Sequence, residues 1–142
     1  MTHGKTKSGS LSAEPTPYMQ AALELLDRKT AEFQPEIRAA LGFSMGGHGV
    51  WDMACRRKFE LIGVMCGRGD TAYAPRLSQA KICIYHGVDD HIVPVKYGRE
   101  MVAALRNAGC KNLFYKELSG SRHNAWDPFF LDGEALNYLF GE

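Results

Sequence analysis

Three groups of polar residues in this 142-residue chain have the side chains that acyl-transfer chemistry uses. Ser44 lies at the centre of the pentapeptide 42–46, which reads G-F-S-M-G. A serine hydroxyl is a weak nucleophile at neutral pH, so it needs a histidine base, which in turn needs a carboxylate that orients it. The chain offers both downstream of Ser44, first as Asp89 and Asp90 and then as His123.

The pentapeptide has the pattern G-x-S-x-G and stands between an apolar run, 37–41, and a helix-like segment. On a tight turn from a strand into a helix, such a serine is pushed out of the sheet and its backbone is strained. We expect Gly42 and Gly46 to be required, because a side chain at either position would collide with the neighbouring strand or helix. The helix would begin with the backbone N–H of Met45, which would face any negative charge that forms beside Ser44.

The candidate acid and base each follow an apolar, strand-like segment. Residues 86–94 read H-G-V-D-D-H-I-V-P, and residues 119–128 read S-G-S-R-H-N-A-W-D-P. In a parallel α/β sheet, functional groups collect at the carboxyl ends of the strands, so both loops are expected near Ser44. On the residues alone, either Asp89 or Asp90 could be the carboxylate, and an acidic pair in a loop is usually a solvated turn.

The other polar residues of these segments have simpler interpretations. His86 precedes a glycine at a strand end and is expected to hydrogen-bond locally, with a structural role. His48 and His91 are expected to be exposed. Asp127 precedes Pro128 and is predicted to be a helix N-cap followed by a first-turn proline.

The elements that position these residues alternate between strand and helix. This alternation predicts a mostly parallel sheet of about four strands, flanked by helices on both faces, which is the α/β class. Residues 1–14 are polar and predict a flexible tail, so the domain would span 15–142. The predicted strands cover about 37–43, 61–66, 81–85 and 113–118. The first predicted helix begins at Pro17 and is capped by Thr16. Three further helices are predicted at about 46–57, 95–108 and 132–140, and Asp132 would cap the last.

Composition excludes several classes of function. Seventeen basic and 16 acidic residues give a net charge of +1, which predicts no nucleic acid or anionic membrane partner. The basic cluster 56–58 is predicted to end a helix, and no apolar run approaches the roughly 20 residues that cross a membrane. The four cysteines lack C-x-x-C pairing and zinc-like spacing, so no metal or cofactor is predicted. Cys66 and Cys83 are expected to act as small apolar residues, and the polar start without a secretory signal predicts a cytoplasmic protein.

The three segments together resemble the α/β-hydrolase superfamily, in its esterase and predicted-peptidase branch of dienelactone hydrolases and phospholipase-carboxylesterase-like proteins. The H-G-x-x-D-x-x-V-P segment is similar to that family's acid loop, the H-N-x-W-D-P segment is similar to its histidine loop, and the match runs from about Ala31 to the C-terminus. The resemblance favours Asp90 over Asp89 and implies the catalytic triad Ser44, Asp90 and His123, in the chain order of this fold. It also implies a sheet like the C-terminal half of an α/β-hydrolase.

The activity that the resemblance implies is carboxylesterase-type hydrolysis of a small acyl ester through an acyl-enzyme. Met45 would supply an oxyanion donor from its backbone. Phe43 and Trp126 are expected to line an apolar substrate site, with Met45 and Phe129 as further candidates. Packing in the core is the alternative explanation for these aromatic residues.

The chain departs from the family upstream of Ser44, where only 43 residues precede the elbow. The strands that usually come there include the loop with the second oxyanion donor. His3-Gly4 lacks the preceding strand that such a loop needs, and Gly4-Lys5-Thr6 lacks the first glycine of a phosphate loop. We therefore expect the elbow strand at or near the sheet edge, covered by a homodimer contact or by the N-terminal segment. A non-catalytic or vestigial hydrolase domain and an acyltransferase or thioesterase remain alternatives.

Overall fold

The computed structural model describes residues 14–141. His3-Gly4, Gly4-Lys5-Thr6 and all of the predicted tail except Glu14 therefore lie outside the described residues. The elements in chain order are α1 Pro17–Phe33, β1 Ala39–Phe43, α2 Met45–Arg56, β2 Leu61–Met65, a 3-10 turn Thr71–Tyr73, α3 Ala74–Leu77, β3 Lys81–Gly87, α4 Lys96–Asn107, β4 Leu113–Leu118, α5 Trp126–Leu131 and α6 Glu134–Phe140.

The four strands form one parallel sheet in the order β1-β2-β3-β4, which confirms the predicted α/β class. Consecutive strands are neighbours, and each crossover between them contains a helix. Parallel strands need such crossovers, because the chain must return to the starting end of the sheet before the next strand begins. β1, which leads into Ser44, lies at one edge of the sheet, as the sequence analysis expects.

Helices cover both faces of the sheet and bury two apolar clusters. On one face, α2, α3 and α4 pack against side chains that alternate along the strands, with Trp51, Ile82 and Leu105 among the most buried. On the other face, α5 and α6 pack through Phe129 and Leu139. The alternation of side chains along each strand therefore places successive residues in different clusters, giving three layers.

Helix α1 begins as predicted and is tied to the end of α2. The Thr16 hydroxyl accepts a hydrogen bond from the Met19 backbone N–H at 3.2 Å, and Pro17 occupies the first turn. Leu23 is its buried residue. The Arg57 guanidinium, just past the end of α2, makes a bidentate contact with Asp27 of α1, at 2.7 and 2.8 Å. The basic cluster at 56–58 therefore marks a helix end, in agreement with the sequence analysis.

The C-terminal segment contains two helices, in agreement with the predicted helix start near Asp127 and the predicted helix at about 132–140. α5 and α6 are separate helices, because Gly133 adopts a left-handed backbone with φ of 79° between them. Asp132 ends α5, and its carboxylate accepts from the Glu134 N–H at 2.8 Å, so it still stabilises the start of α6. Asp127 lies inside the first turn of α5, so the prediction that it is the N-cap is wrong. Pro128 is tolerated there because backbone N–H groups in a first turn have no intrahelical acceptor.

The sequence analysis made predictions about membrane-spanning segments and about the cysteines, which the described residues allow to be compared. No helix in the part of the chain that the structure describes is long and apolar enough to cross a membrane. The four cysteines are free thiols. Cys83 lies within β3 and Cys66 directly after β2, both fully buried, as expected of small apolar residues.

Candidate active site

Ser44 occupies a strained turn between β1 and α2. Its φ is 54° and its ψ is −118°, a conformation that residues with a side chain rarely adopt. Backbone strain of this kind costs about 1–3 kcal/mol and persists only where the surroundings enforce it. Here the Ser44 N–H donates to the Met65 carbonyl of β2 at 2.8 Å, and the Ser44 carbonyl accepts from the His48 N–H at 3.1 Å. The turn is therefore fixed by both the sheet and the helix.

The glycines around Ser44 have unequal roles. A Cβ at Gly42 would overlap the carbonyl group of Gly46, so position 42 requires glycine, as expected. The same expectation for Gly46 is wrong, because a Cβ there would have nothing within 4 Å. Gly47 is the crowded position instead, since a Cβ would lie 2.9 Å from Val64 Cγ1 and 3.1 Å from Gly67 Cα. The helix approaches β2 one residue later than the motif alone indicates.

The structure brings Ser44, His123 and Asp90 into one hydrogen-bonded chain. His123 Nε2 lies 2.8 Å from Ser44 Oγ, and His123 Nδ1 lies 2.7 Å from Asp90 Oδ2. A carboxylate can only accept, so Nδ1 carries the proton in this arrangement and Nε2 is free to accept from the serine hydroxyl. The three side chains come from the carboxyl ends of β1, β3 and β4, at one edge of the sheet.

The carboxylate of Asp90 is enclosed by donors. Its Oδ1 accepts from the backbone N–H groups of Ile92 and Val93, each at 2.9 Å, while Oδ2 receives His123. Burial pushes the pKa of the Asp90 carboxyl upward, but the hydrogen bonds from His123, Val93 and Ile92 outweigh burial and leave that pKa below its ordinary value. Asp90 is therefore ionised at neutral pH and oriented by three donors.

The structure separates the two acids that the sequence left open. The side chain of Asp90 is fully buried, whereas Asp89 is exposed to solvent. Asp89 acts through its backbone, whose N–H donates to the Ser121 carbonyl at 2.9 Å. That contact joins the acid loop to the histidine loop, and the close passage of Arg122 leaves no room for a Cβ at Gly87.

The N-terminus of α2 faces the serine turn. Met45 is the first residue of α2, and the first N–H groups of a helix have no intrahelical acceptor. They are therefore available to an anion beside Ser44, with the helix dipole in the favourable direction. The Met45 side chain points to solvent, with 81% of it exposed.

Aromatic side chains pack beside His123. The centroid of the Phe43 ring lies 4.9 Å from that of His123 and 6.5 Å from that of Trp126, which also contacts Phe130. Trp126 is half-exposed, so it offers apolar surface next to Phe43 and His123. Phe129 is different, because it is fully buried against Tyr85 and belongs to the core.

Cys66 is a neighbour of Asp90 and His123 that sequence reasoning did not place in the site. Its sulfur, a carboxylate oxygen of Asp90 and a ring nitrogen of His123 lie within 4.8 Å of one another, which could offer three metal ligands. Burial raises the pKa of the Cys66 thiol to about 11, so a metal would have to displace its proton. It would also have to break the bond between His123 and Asp90. The donor set therefore fits the hydrogen-bonded chain better than a metal centre. The sequence places Cys66 at the end of a strand-like run, but it does not indicate which loop side chains lie beside it.

The remaining histidines divide by burial. His91 is exposed, as expected. His48 is not exposed: it is half-buried, its Nε2 has no partner among the described residues, and burial followed by the charge of Arg68 lowers its pKa. His86 is fully buried and contacts the Val93 carbonyl through Nε2 at 2.7 Å, the local hydrogen bond that the sequence analysis expects.

Two comparisons by sequence give no match. No protein-family model matches the chain, and no curated protein matches it. Similarity to known proteins therefore rests on comparison of structures.

Solved structures resemble the described fold over most of its length. A thermostable esterase matches with a TM-score of 0.80 and 27% identity, covering 89% of this chain and 36% of the esterase. Acyl-protein thioesterase 2 of Zea mays matches with a TM-score of 0.60 and 20% identity over 83% of this chain and 63% of its own. An acylaminoacyl peptidase of Pyrococcus horikoshii matches with a TM-score of 0.64 and 15% identity, over 75% of this chain and 23% of its own. At such identities the last two are evidence of fold alone, and the chain spans only about a third of the esterase.

Proposed function

We propose that this chain, whose described residues have part of the α/β-hydrolase fold, is a serine hydrolase that cleaves small acyl esters. The observation that carries the proposal is the pair of hydrogen bonds that joins Ser44 to His123 and His123 to Asp90, at 2.8 and 2.7 Å. The strained Ser44 backbone supports it, because such strain collects at functional sites. Residues 15–142 would form the hydrolase domain.

The first half of the reaction would acylate Ser44. As Ser44 Oγ attacks the ester carbonyl carbon, His123 Nε2 takes the hydroxyl proton, and Asp90 stabilises the imidazolium that results. The carbonyl oxygen becomes an oxyanion, to which the Met45 N–H would donate from the start of α2. His123 then gives its proton to the departing alcohol oxygen as the tetrahedral intermediate collapses to an acyl-enzyme.

The second half would release the acid. A water molecule attacks the acyl-enzyme carbonyl while His123 Nε2 takes a proton from that water. Collapse of the second tetrahedral intermediate then returns the proton to Ser44 Oγ. No metal or organic cofactor enters either half, since each step moves only a proton and an acyl group. This half releases a carboxylic acid and restores the free enzyme with its Ser44 hydroxyl protonated.

Apolar surface beside Ser44 suits an acyl group rather than a charged one. Phe43 packs on His123, and Trp126 presents its half-exposed face next to it. We assign these two side chains to substrate binding, because an aliphatic chain that covers them leaves water. The thermostable esterase named above supports an ester as the substrate class.

The cysteines, the net charge and the edge of the sheet support proposals for the compartment, the partners and the oligomeric state. We assign the protein to a reducing, cytoplasmic compartment, because its four cysteines are free. Its net charge of +1 favours neither nucleic acid nor an anionic membrane as a partner. The edge of β1 favours a homodimer, since it has no strand partner on its outer side among residues 14–141.

Turnover of p-nitrophenyl acetate tests the proposed function. The wild-type chain should release p-nitrophenol with saturation kinetics, and the Ser44→Ala and His123→Ala variants should each lose at least about 10³-fold in kcat. Ser119→Ala, in the loop after β4, is the matched serine control and should keep its rate. Rates for Ser44→Ala equal to those of the wild type would contradict the proposal, and absence of turnover in the wild type would favour a non-catalytic domain. An increase in turnover with an added alcohol, beyond the rate with water, would instead favour an acyltransferase.

A further inference from the structure

We propose that His86 is a positioning residue for Asp90, acting through the backbone of Val93. The proposal rests on the proposed function, in which Asp90 is the acid that orients His123. It goes beyond the structural role that a buried histidine at a strand end has by default. The hydrogen bonds around Val93 carry it.

Val93 is held from both sides of its backbone. His86 Nε2 lies 2.7 Å from the Val93 carbonyl oxygen, and both groups are buried. A carbonyl can only accept, so Nε2 carries a proton and donates it. The N–H of the same residue donates to Asp90 Oδ1 at 2.9 Å. His86 therefore restrains the residue whose N–H binds one oxygen of the carboxylate, with the two contacts on the peptide units that flank the Val93 Cα.

The other nitrogen of the His86 ring is enclosed by α4. Nδ1 is buried without a hydrogen-bond partner in the described part of the chain. Gly98 of α4 lies against it, and a Cβ there would approach Nδ1 to 2.8 Å. The ring is therefore held in one place, with Nε2 directed at Val93 and Nδ1 against α4.

The position of His86 leaves the second oxygen of Asp90 to His123. His86 Nε2 is 3.8 Å from Asp90 Oδ2, too far for a hydrogen bond, so Oδ2 remains available to His123. Glu117 aligns with His86 in the adjacent strand β4 and is paired with Arg99 at 2.6 Å. His86 thus anchors the acid loop without competing with His123 for the carboxylate.

Loss of the anchor should misplace the acid. Without a donor, the buried Val93 carbonyl would have to turn towards another partner. That rotation of the Val93–Pro94 peptide would displace the Val93 Cα, and with it the preceding peptide, whose N–H binds Asp90 Oδ1. The Asp90 carboxylate would then rotate away from His123 Nδ1. Misplacement of a reacting group by about 1 Å can cost about 10²-fold in rate.

Two variants of similar length separate the hydrogen bond from packing. His86→Gln places an amide N–H near the position of Nε2, whereas His86→Met fills the space without a donor. We expect kcat within about 3-fold of wild type for the glutamine variant and about 10- to 100-fold lower for the methionine variant, with KM for p-nitrophenyl acetate within about 2-fold in both. His91→Met, on the same loop but exposed, is the control and should change neither constant.

A signal that does not depend on turnover completes the test. The proton between His123 Nδ1 and Asp90 should give a strongly downfield ¹H NMR resonance in the wild type, in Ser44→Ala and in His86→Gln, and this resonance should disappear in His86→Met. If the wild type lacks esterase activity but the resonance follows this pattern, the proposed function fails and the positioning role stands.

Either of two results would overturn the proposal. One is a methionine variant with wild-type kcat and resonance; the other is equal loss in the glutamine and methionine variants, which would assign the effect to packing of the ring. If His86→Met does not fold, Gly98→Ala replaces it, because the added Cβ must push the ring from its place. The alanine variant should lower kcat and weaken the resonance, and unchanged values would overturn the proposal.

Discussion

The distances around His123 set what each residue of the site can do. Its two ring nitrogens are engaged by Ser44 and Asp90, at 2.8 and 2.7 Å, so the ring is held in one orientation and one tautomer. Only 17% of its side chain is exposed, which limits competition from water for these bonds. The site therefore matches the requirements of a serine, a base and an orienting carboxylate without rearrangement.

Replacement of the buried acid provides the first prediction. Asp90→Asn should lower kcat for p-nitrophenyl acetate by about 10³- to 10⁴-fold, because an amide can donate to His123 Nδ1 and thereby favour the wrong tautomer. Asp89→Asn is the matched control, since Asp89 is the exposed neighbour on the same loop, and its kcat should stay within about 2-fold. Steady-state kinetics of both variants decide the matter, and a larger loss in Asp89→Asn would assign the acid to the other residue.

Sequence pattern was sufficient to nominate Ser44, His123 and the pair Asp89 and Asp90, because each follows a recognisable apolar strand, and the family resemblance then favoured Asp90. The contributions of Cys66 and His86 could not be predicted in the same way. Cys66 lies beside Asp90 only because β2 and β3 are adjacent in register. His86 contacts a carbonyl that lies seven residues away along a folded loop, a geometry that residue types do not encode.

At the scale of elements, the turn from β1 to α2 is the feature that the rest of the site depends on. It holds Ser44 at a positive φ while α2 packs closely on β2 through Gly47. The motif correctly indicates a strand-turn-helix, but the glycine that the packing requires depends on how α2 crosses β2. At the C-terminus, Gly133 separates α5 from α6, and the pair Asp132-Gly133 is typical of a turn at such a boundary.

The glycines of the turn provide the second prediction. Gly42→Ala should destabilise the fold by at least about 2 kcal/mol, because its Cβ has no space against the Gly46 backbone. Gly46→Ala should be neutral or stabilise by up to about 1 kcal/mol, since the position is open and alanine favours helix over glycine. Urea unfolding followed by circular dichroism measures both. Equal destabilisation by the two variants would mean that the turn is packed differently.

At the scale of the whole molecule, the parallel sheet and its three layers follow from the alternation of strands and helices. The α/β class, the order of the elements along the chain and the parallel direction of the strands could therefore be predicted. The environment of the sheet edge could not, because no local pattern records what pairs with an outer strand. β1 is the strand at that edge, and its Leu41 is 36% exposed. Ile37, two residues before β1 begins, is 61% exposed. An open edge with apolar side chains tends to pair with another strand.

The edge provides the third prediction, at the scale of assembly. Size-exclusion chromatography with light scattering should give the mass of a dimer, twice the 15.8 kDa of one chain. Ala39→Lys, which places a charge on β1, should shift the mass towards the monomer. Ala103→Lys adds the same charge at an exposed position of α4 and should leave the dimer unchanged. A monomer in the wild type would contradict pairing through this edge.

Covalent labelling tests the central claim, that Ser44 is an activated nucleophile, more directly than any rate. A fluorophosphonate phosphonylates an active serine by displacement of fluoride, and it needs the His123–Asp90 pair but no natural substrate. We predict one adduct per chain by intact mass spectrometry, mapped to Ser44 in the peptide digest, lost in Ser44→Ala and slowed in Asp90→Asn. An unlabelled wild type, or an adduct on another serine, would contradict the account.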